Sequence, residues 1–146
     1  LDSFIDSFIA SMESVTKKKS ISLMYTSNHS SLIKADSQAL ERVMNNLIDN
    51  AFKYSPKDSL IEISTSENNE YIKVMVSDNG SGIAKSDQVY IFDRFYRTAS
   101  ARASDNQGSG LGLAIVKNLI NSLNGEVGVN NRSEGGTVFW FTLPVN

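Results

Sequence analysis

Leu40, Val43, Met44, Leu47, Ile48 and Ala51 recur at spacings of three and four between Asp36 and the pair Ser55-Pro56. Only a helix puts those positions on one side, so this stretch must be amphipathic and must bury a single stripe. Asp36 or Ser37 can cap its first turn. The residue before a proline is driven out of the helical region, which ends the helix near Tyr54. The period then changes. Leu60 to Ser66 and Tyr71 to Ser77 read as two strands, joined by the turn-forming Glu67-Asn68-Asn69-Glu70 into a hairpin.

The rest of the chain repeats the same two periods without regular alternation. Leu1, Phe4, Ile5, Phe8, Ile9 and Met12 mark a first helix, whose last turn carries Lys17 to Lys19 where cations complement open carbonyls. Ser20 to Thr26 reads as a strand, Ser27 to Ser31 as a polar turn and Leu32 to Ala35 as a short second strand. Ile83 to Phe95 reads as short and mostly helical, and Arg97 to Gln107, polar and rich in small residues, as a mobile lid. A helix from Leu111 to Leu123 ends at Asn124-Gly125 in a left-handed cap, and strands at Glu126 to Asn130 and Thr137 to Leu143 close the chain. Helices bunched around antiparallel hairpins predict an α+β sandwich, one sheet under one helical layer. A doubly wound nucleotide fold is the lesser alternative.

With 146 residues, 40% of them hydrophobic, the chain supports one core and one domain, 1–146, burying roughly 70% of its unfolded surface. A net charge of −2 gives no basic footprint for nucleic acid. The absence of cysteine and the single histidine exclude disulfide, thiolate and His-rich zinc chemistry. No apolar run approaches the ~20 residues of a membrane span and no signal peptide is evident. The chain starts inside a helical pattern without a methionine, so a longer parent is expected, one that a membrane could anchor.

The polar residues that stand out have holding a nucleotide in common. Asn46, Asn50 and Lys53 fall within about 60° of one another on a helical wheel, bordering the apolar arc. Asparagine oxygens are hard neutral ligands suited to Mg²⁺, and Lys53 offers a cation to phosphate; ordinary solvated polar residues are the alternative. Asp78 ends a strand and precedes Gly80 and Gly82, which let the chain turn sharply and bring backbone against a ligand. An ionised carboxylate only accepts hydrogen bonds, so it suits the amino group of adenine and repels the carbonyl of guanine. Gly108, Gly110 and Gly112 open a helix whose free N–H groups attract phosphate, although no strand leads into them as a dinucleotide fold requires. Arg94, Arg97 and Arg102 in or beside the lid can offset triphosphate charge. Phe92, Phe95 and Tyr96 read as lid anchors, and His29, in a polar turn, is assigned no role.

Taken in order, these segments resemble one family. Asn46 to Pro56, Asp78-Asn79-Gly80-Ser81-Gly82-Ile83, Ile91 to Arg97, Gly108-Ser109-Gly110-Leu111-Gly112-Leu113 and Gly135-Gly136-Thr137 resemble the N, G1, F, G2 and G3 boxes of sensor histidine kinases. The resemblance spans nearly the whole chain. It implies the Bergerat ATP-binding fold shared with gyrases, heat-shock chaperones and mismatch-repair ATPases, a mixed, mainly antiparallel sheet under helices. It further implies ATP and Mg²⁺ as ligands, with Asn50 at the metal and Asn46, Lys53 and Arg97 as the catalytic set. Asn46, Asn50, Lys53, Tyr54, Asp78, Gly80, Gly82, Ile83, Phe92, Arg97, Gly108, Gly110, Leu111, Gly112, Leu113 and Thr137 would contact the nucleotide.

The resemblance also separates kinase from hydrolase. The hydrolysing relatives carry a water-activating glutamate one helical turn before the metal asparagine, where this chain has Asn46, and an amide cannot serve as a general base. No histidine is followed by an acidic residue, so the phosphoacceptor of an intact kinase is missing. A catalytic fragment is expected, its residues 1–19 the first helix or the junction with a dimerisation domain that supplies the histidine. Its partners would be that domain and, indirectly, a response regulator. It would be monomeric alone and dimeric in the parent, a cytoplasmic domain of a protein anchored in the inner or plasma membrane. A switch-type serine kinase or nucleotide-binding regulatory module is the alternative, and a chaperone- or gyrase-type ATPase a lesser one.

Overall fold

In the computed structural model, which describes residues 1–103 and 109–146, the first apolar repeat forms two helices, α1 (Asp2–Ser11) and α2 (Glu13–Lys19), where one was expected. The break is at Met12 (φ −90°, ψ 1°), where the apolar stripe runs out: α1 buries Ile5 and Phe8, and α2 buries nothing. Strand β1 (Ser22–Thr26) follows. The strand expected at Leu32 to Ala35 is absent. Ile33 and Ala35 do pack against the core, but a strand also needs a ladder, and among the described residues the backbone bond there is a single one from Asn146 N–H to the Leu32 carbonyl, 3.3 Å.

Helix α3 spans Ser37–Tyr54, with the Asp36 carboxylate accepting from Gln38 N–H at 2.8 Å, and Ser55 leaves it in an extended conformation before Pro56. Strands β2 (Leu60–Glu67) and β3 (Tyr71–Ser77) form the expected hairpin, its turn held by Asn68 Oδ1, which accepts from Glu70 and Tyr71 N–H at 2.9 Å each. Helix α4 is one turn only (Lys85–Gln88). Beyond it, successive three-residue bonds (Tyr90 to Asp87, Asp93 to Tyr90, Tyr96 to Asp93) replace the longer helix that was expected. This tighter path buries Ile91 and leaves Val89 and Tyr90 exposed. Helices α5 (Ala99–Ala103) and α6 (Gly112–Ser122) and strands β4 (Val127–Asn131) and β5 (Thr137–Pro144) complete the order. Asn124, at φ 60°, is the left-handed residue that ends α6.

The sheet runs β1-β2-β3-β5-β4, parallel between β1 and β2 and antiparallel elsewhere. This is the α+β sandwich read from the sequence. Alternation in β2, β3 and β5 sends Ile61, Ile63, Val74, Val76, Phe139 and Phe141 under the helices, where they meet Ile5, Val43, Leu47, Ile48, Val116 and Ile120. Each such burial contributes about 1.5–3 kcal/mol. The opposite face is more open, and there Lys73 Nζ stands 4.1 Å above the Trp140 ring. Because β3 and β5 are neighbours, the residues after β3 emerge beside the start of β5, facing the polar edge of α3.

Candidate functional site

Asn46, Asn50, Lys53 and Tyr54 line one wall of a cleft of about 400 Å³. Asn46 Nδ2 donates to the Arg42 carbonyl at 2.8 Å, and its Oδ1 faces α6 so closely that a Cβ on Gly112 would lie 2.9 Å from it. The Asn50 side chain has no hydrogen bond among the described residues, so its amide oxygen is available to a hard cation. The donor chemistry fits Mg²⁺, which takes oxygen ligands and completes its shell with water and phosphate. Asp49 lines the same wall and was missed in the sequence, although its position three residues after Asn46 puts it on the same side of the helix.

Asp78 lies at the end of β3 and is only 4% exposed. Its Oδ1 accepts from the backbone N–H of Gly80 (2.8 Å) and Thr137 (3.3 Å), while its own N–H donates to the Thr137 carbonyl at 2.9 Å. The second carboxylate oxygen has no partner among the described residues, and the residue lines the cleft. That is an oriented acceptor of the kind an exocyclic amino group requires. Burial pushes the Asp78 carboxyl above its ordinary value, against the opposing pull of those two N–H groups and of the Arg132 charge.

Gly82, Ile83 and Thr137 line the cleft as expected, and Gly80 does not. A Cβ on Gly80 would lie 2.5 Å from the Tyr54 carbonyl oxygen, so its role is to seat this loop against the end of α3. Phe92 stands apart from the cleft wall as well. It is not among the cleft-lining residues; it packs edge-on against Phe139, centroids 6.3 Å apart, and Phe139 lines the cleft.

The opposite side comes from the segments before residue 104 and after residue 108. Arg97 lines the cleft and donates from Nη2 to the Ala101 carbonyl at 2.8 Å, and Arg102 Nε donates to the Arg97 carbonyl. Gly110, Leu111, Gly112 and Leu113 line it, whereas Gly108 and the last part of the expected lid, 104–107, lie outside the described residues. Phe95 N–H donates to the Gly110 carbonyl at 2.9 Å, and Gly110 itself (φ 72°) leaves room for the Phe95 backbone, which a Cβ would approach to 2.7 Å. Tyr96 donates its hydroxyl to the Asp87 carboxylate, both lining the cleft, and this bond is the main cause holding the Tyr96 hydroxyl above its ordinary pKa. Arg94 is exposed and does not line the cleft. Neither does His29, whose side chain is 4% exposed, with Nδ1 at 3.0 Å from Thr65 Oγ1 and Nε2 at 3.7 Å from Asp2. Asp87, Tyr96 and Phe139 join the site through tertiary contacts for which the sequence has no local signal.

Residues 35–146 match the family model described as histidine kinase-, DNA gyrase B-, and HSP90-like ATPase. The chain is 37% identical over 113 residues to the sensor protein KdpD of Clostridium acetobutylicum, covering 77% of this chain and 13% of that protein. It is 34% identical over 137 residues to the sensor protein CiaH of Streptococcus pneumoniae, covering 94% and 31% respectively. The chain therefore spans less than a third of the length of either relative. Among solved structures, the catalytic domain of histidine kinase ThkA superposes with a TM-score of 0.86 at 26% identity, covering 99% of this chain and 92% of that one.

Proposed function

The chain belongs to the histidine kinase-, DNA gyrase B-, and HSP90-like ATPase family, and on that premise we propose that it is the catalytic domain of a sensor histidine kinase. It binds Mg-ATP and donates the γ-phosphoryl group to a histidine on a separate dimerisation domain of its parent, from which a response regulator receives it. Residues 1–146 act as one domain, with α1 and α2 forming the junction toward the dimerisation domain.

The observation that carries this proposal is the pairing of an oriented, buried Asp78 carboxylate with an amide at position 46. Asp78 supplies the acceptor for adenine. Asn46, with its N–H already given to Arg42, has no basic group to activate water. Lys53 from α3 and Arg97 from the opposite side bring positive charge to the triphosphate, and the backbone at Gly110 and Gly112 allows phosphate to approach the start of α6. Mg²⁺, held through Asn50 with Asn46 beside it, would neutralise and align the phosphates. His29 supports an acceptor in trans, since it is buried and hydrogen-bonded to Thr65. Membrane attachment is assigned to the parent: among the described residues no helix is long and apolar enough to cross a membrane.

Mixing the domain with a helical hairpin bearing His followed by Asp or Glu, and with γ-labelled ATP, should give acid-labile, base-stable label on the hairpin. Acid-stable label would favour a switch-type serine kinase. Asp49, the α3 carboxylate in the cleft, is the observation behind a second reading as an ATPase, and rapid phosphate release by the isolated domain would favour it. ATP binding without transfer to any matching hairpin would overturn the kinase assignment.

A further inference from the structure

The loop that carries Asp78 is held at both of its ends by two side chains that do not themselves line the cleft. Asn131, the last residue of β4, offers its carboxamide to the main chain of Ile83. Nδ2 donates to the Ile83 carbonyl at 2.7 Å, and Oδ1 accepts from the Ile83 N–H at 2.8 Å. The amide thus completes a two-way bridge of the kind one strand residue makes to another, and it does so for a segment that belongs to no strand. Gly82 sits directly beneath: a Cβ there would lie 3.1 Å from Asn131 Oδ1, on a backbone whose φ is 77°. At the other end, Arg132 Nη1 donates to the Asp78 carbonyl (3.2 Å) and to Asn79 Oδ1 (2.7 Å). Arg132 is itself fixed, its N–H donating to the Gly136 carbonyl at 3.0 Å, while Gly136 passes so close to the Asp78 carbonyl that a Cβ would overlap it.

We propose that Asn131 and Arg132 are positioning residues for nucleotide recognition: together they fix the 78–83 loop, and through it the direction of the Asp78 carboxylate and the shape of the base pocket. The proposal rests on the assignment of Asp78 to the base, and it adds that base affinity and base choice depend on the β4–β5 turn while phosphate binding does not. The phosphate side of the cleft is built from α3, Arg97 and the start of α6, and the hydrogen bonds of the Asn131 and Arg132 side chains go instead to Ile83, Asp78 and Asn79. Asn131 is exposed and Arg132 half-buried, so water replaces their bonds when they are removed and the fold tolerates the loss. The two arms of Asn131 are also chemically separable. Aspartate keeps an acceptor for the Ile83 N–H and has no donor for its carbonyl, whereas alanine has neither.

The test is calorimetric titration of the chain and of Asn131→Ala, Asn131→Asp, Arg132→Ala and Arg132→Lys with ATP, GTP and inorganic tripolyphosphate, each with Mg²⁺, alongside thermal melts. Asn131→Ala is expected to weaken ATP by roughly tenfold, to lower the ATP-to-GTP preference, and to leave tripolyphosphate within about twofold. Asn131→Asp should fall between alanine and the parent, and Arg132→Lys should recover part of what Arg132→Ala loses. Equal losses for ATP and tripolyphosphate, or an unchanged ATP-to-GTP preference in both alanine variants, would overturn the proposal. Should Arg132→Ala melt at much lower temperature, the Asn131→Asp comparison still decides. A parent chain that binds tripolyphosphate and ATP equally well would remove the assignment of Asp78 to the base, and this proposal with it. Loss of preference confined to the variants supports both.

Discussion

Replacing Gly112 by alanine should separate the stability of this fold from its use of ATP. Gly112 is the first residue of α6 and its φ is not positive, so alanine meets no backbone strain and is favoured in a helix by up to about 1 kcal/mol, less at this terminal position. The new Cβ would lie 2.9 Å from Asn46 Oδ1, where ordinary contact begins at 3.4 Å. Asn46 must turn aside, and in doing so it strains or gives up its 2.8 Å bond to the Arg42 carbonyl, a loss of about 0.5–1.5 kcal/mol. The two effects offset, leaving stability within about 1 kcal/mol and the melting temperature within about 4 °C of the parent. The ligand feels more. An oxygen displaced from a charged partner forfeits about 1.5–3 kcal/mol, or roughly 10- to 100-fold in Mg-ATP affinity. Titration with a fluorescent ATP analogue in the presence of Mg²⁺, with melting curves on the same samples, measures both. Adding Asn46→Ala to Gly112→Ala should cost nothing further. Affinity unchanged within about twofold would show that Asn46 is not at the nucleotide. Loss of the cooperative melt would show that Gly112 is a packing requirement.

Two carboxylates should respond to acid in opposite directions. Burial holds Asp78 above its ordinary value, so the folded chain binds that proton more tightly than the unfolded one. Its contribution to stability therefore rises as pH falls from the raised folded value toward the ordinary carboxylate value. ATP affinity falls over the same interval, because a protonated carboxyl is no longer acceptor-only; Asp78→Asn should flatten the stability trend and lose ATP affinity at every pH, checked by melts and titrations from neutral to mildly acidic pH. Asp2 is lowered, first of all by the hydroxyl of Tyr25. It contributes stability above 3.8 that is lost as pH falls through its lower folded value, so Asp2→Asn or Tyr25→Phe should remove an acid-sensitive increment, followed through the fluorescence of the lone Trp140. Acid curves superimposable on the parent's would show that the Asp2–Tyr25 bond carries no stability.

Local chemistry is what the chain states openly. The three-and-four repeat of α3, its start at Asp36 or Ser37, its stop at Ser55-Pro56, the β2–β3 hairpin and the left-handed end at Asn124-Gly125 depend on neighbours a few residues apart, so each was legible before any fold was known. The order of Asn46, Asn50, Lys53, Asp78 and the two glycine pairs was legible too, and it named the kind of ligand. The strand expected at Leu32 to Ala35 was not formed, because a ladder is a property of two segments. The helix expected from Ile83 gave way to tight turns, because burying Ile91 outweighed local propensity. Phe92 stands behind Phe139 for the same kind of reason.

By itself, then, the sequence determined the faces: which side of each element is apolar, and which polar residues lie along its edge. The tertiary structure alone decided what those edges meet. Asn131 and Ile83 are 48 residues apart, and Arg132 and Asp78 are 54 apart. Such bonds have no period for a sequence to display. They exist because β5 pairs with both β3 and β4 and so brings the end of β3 beside the β4–β5 turn, and the 78–83 loop hangs in that gap.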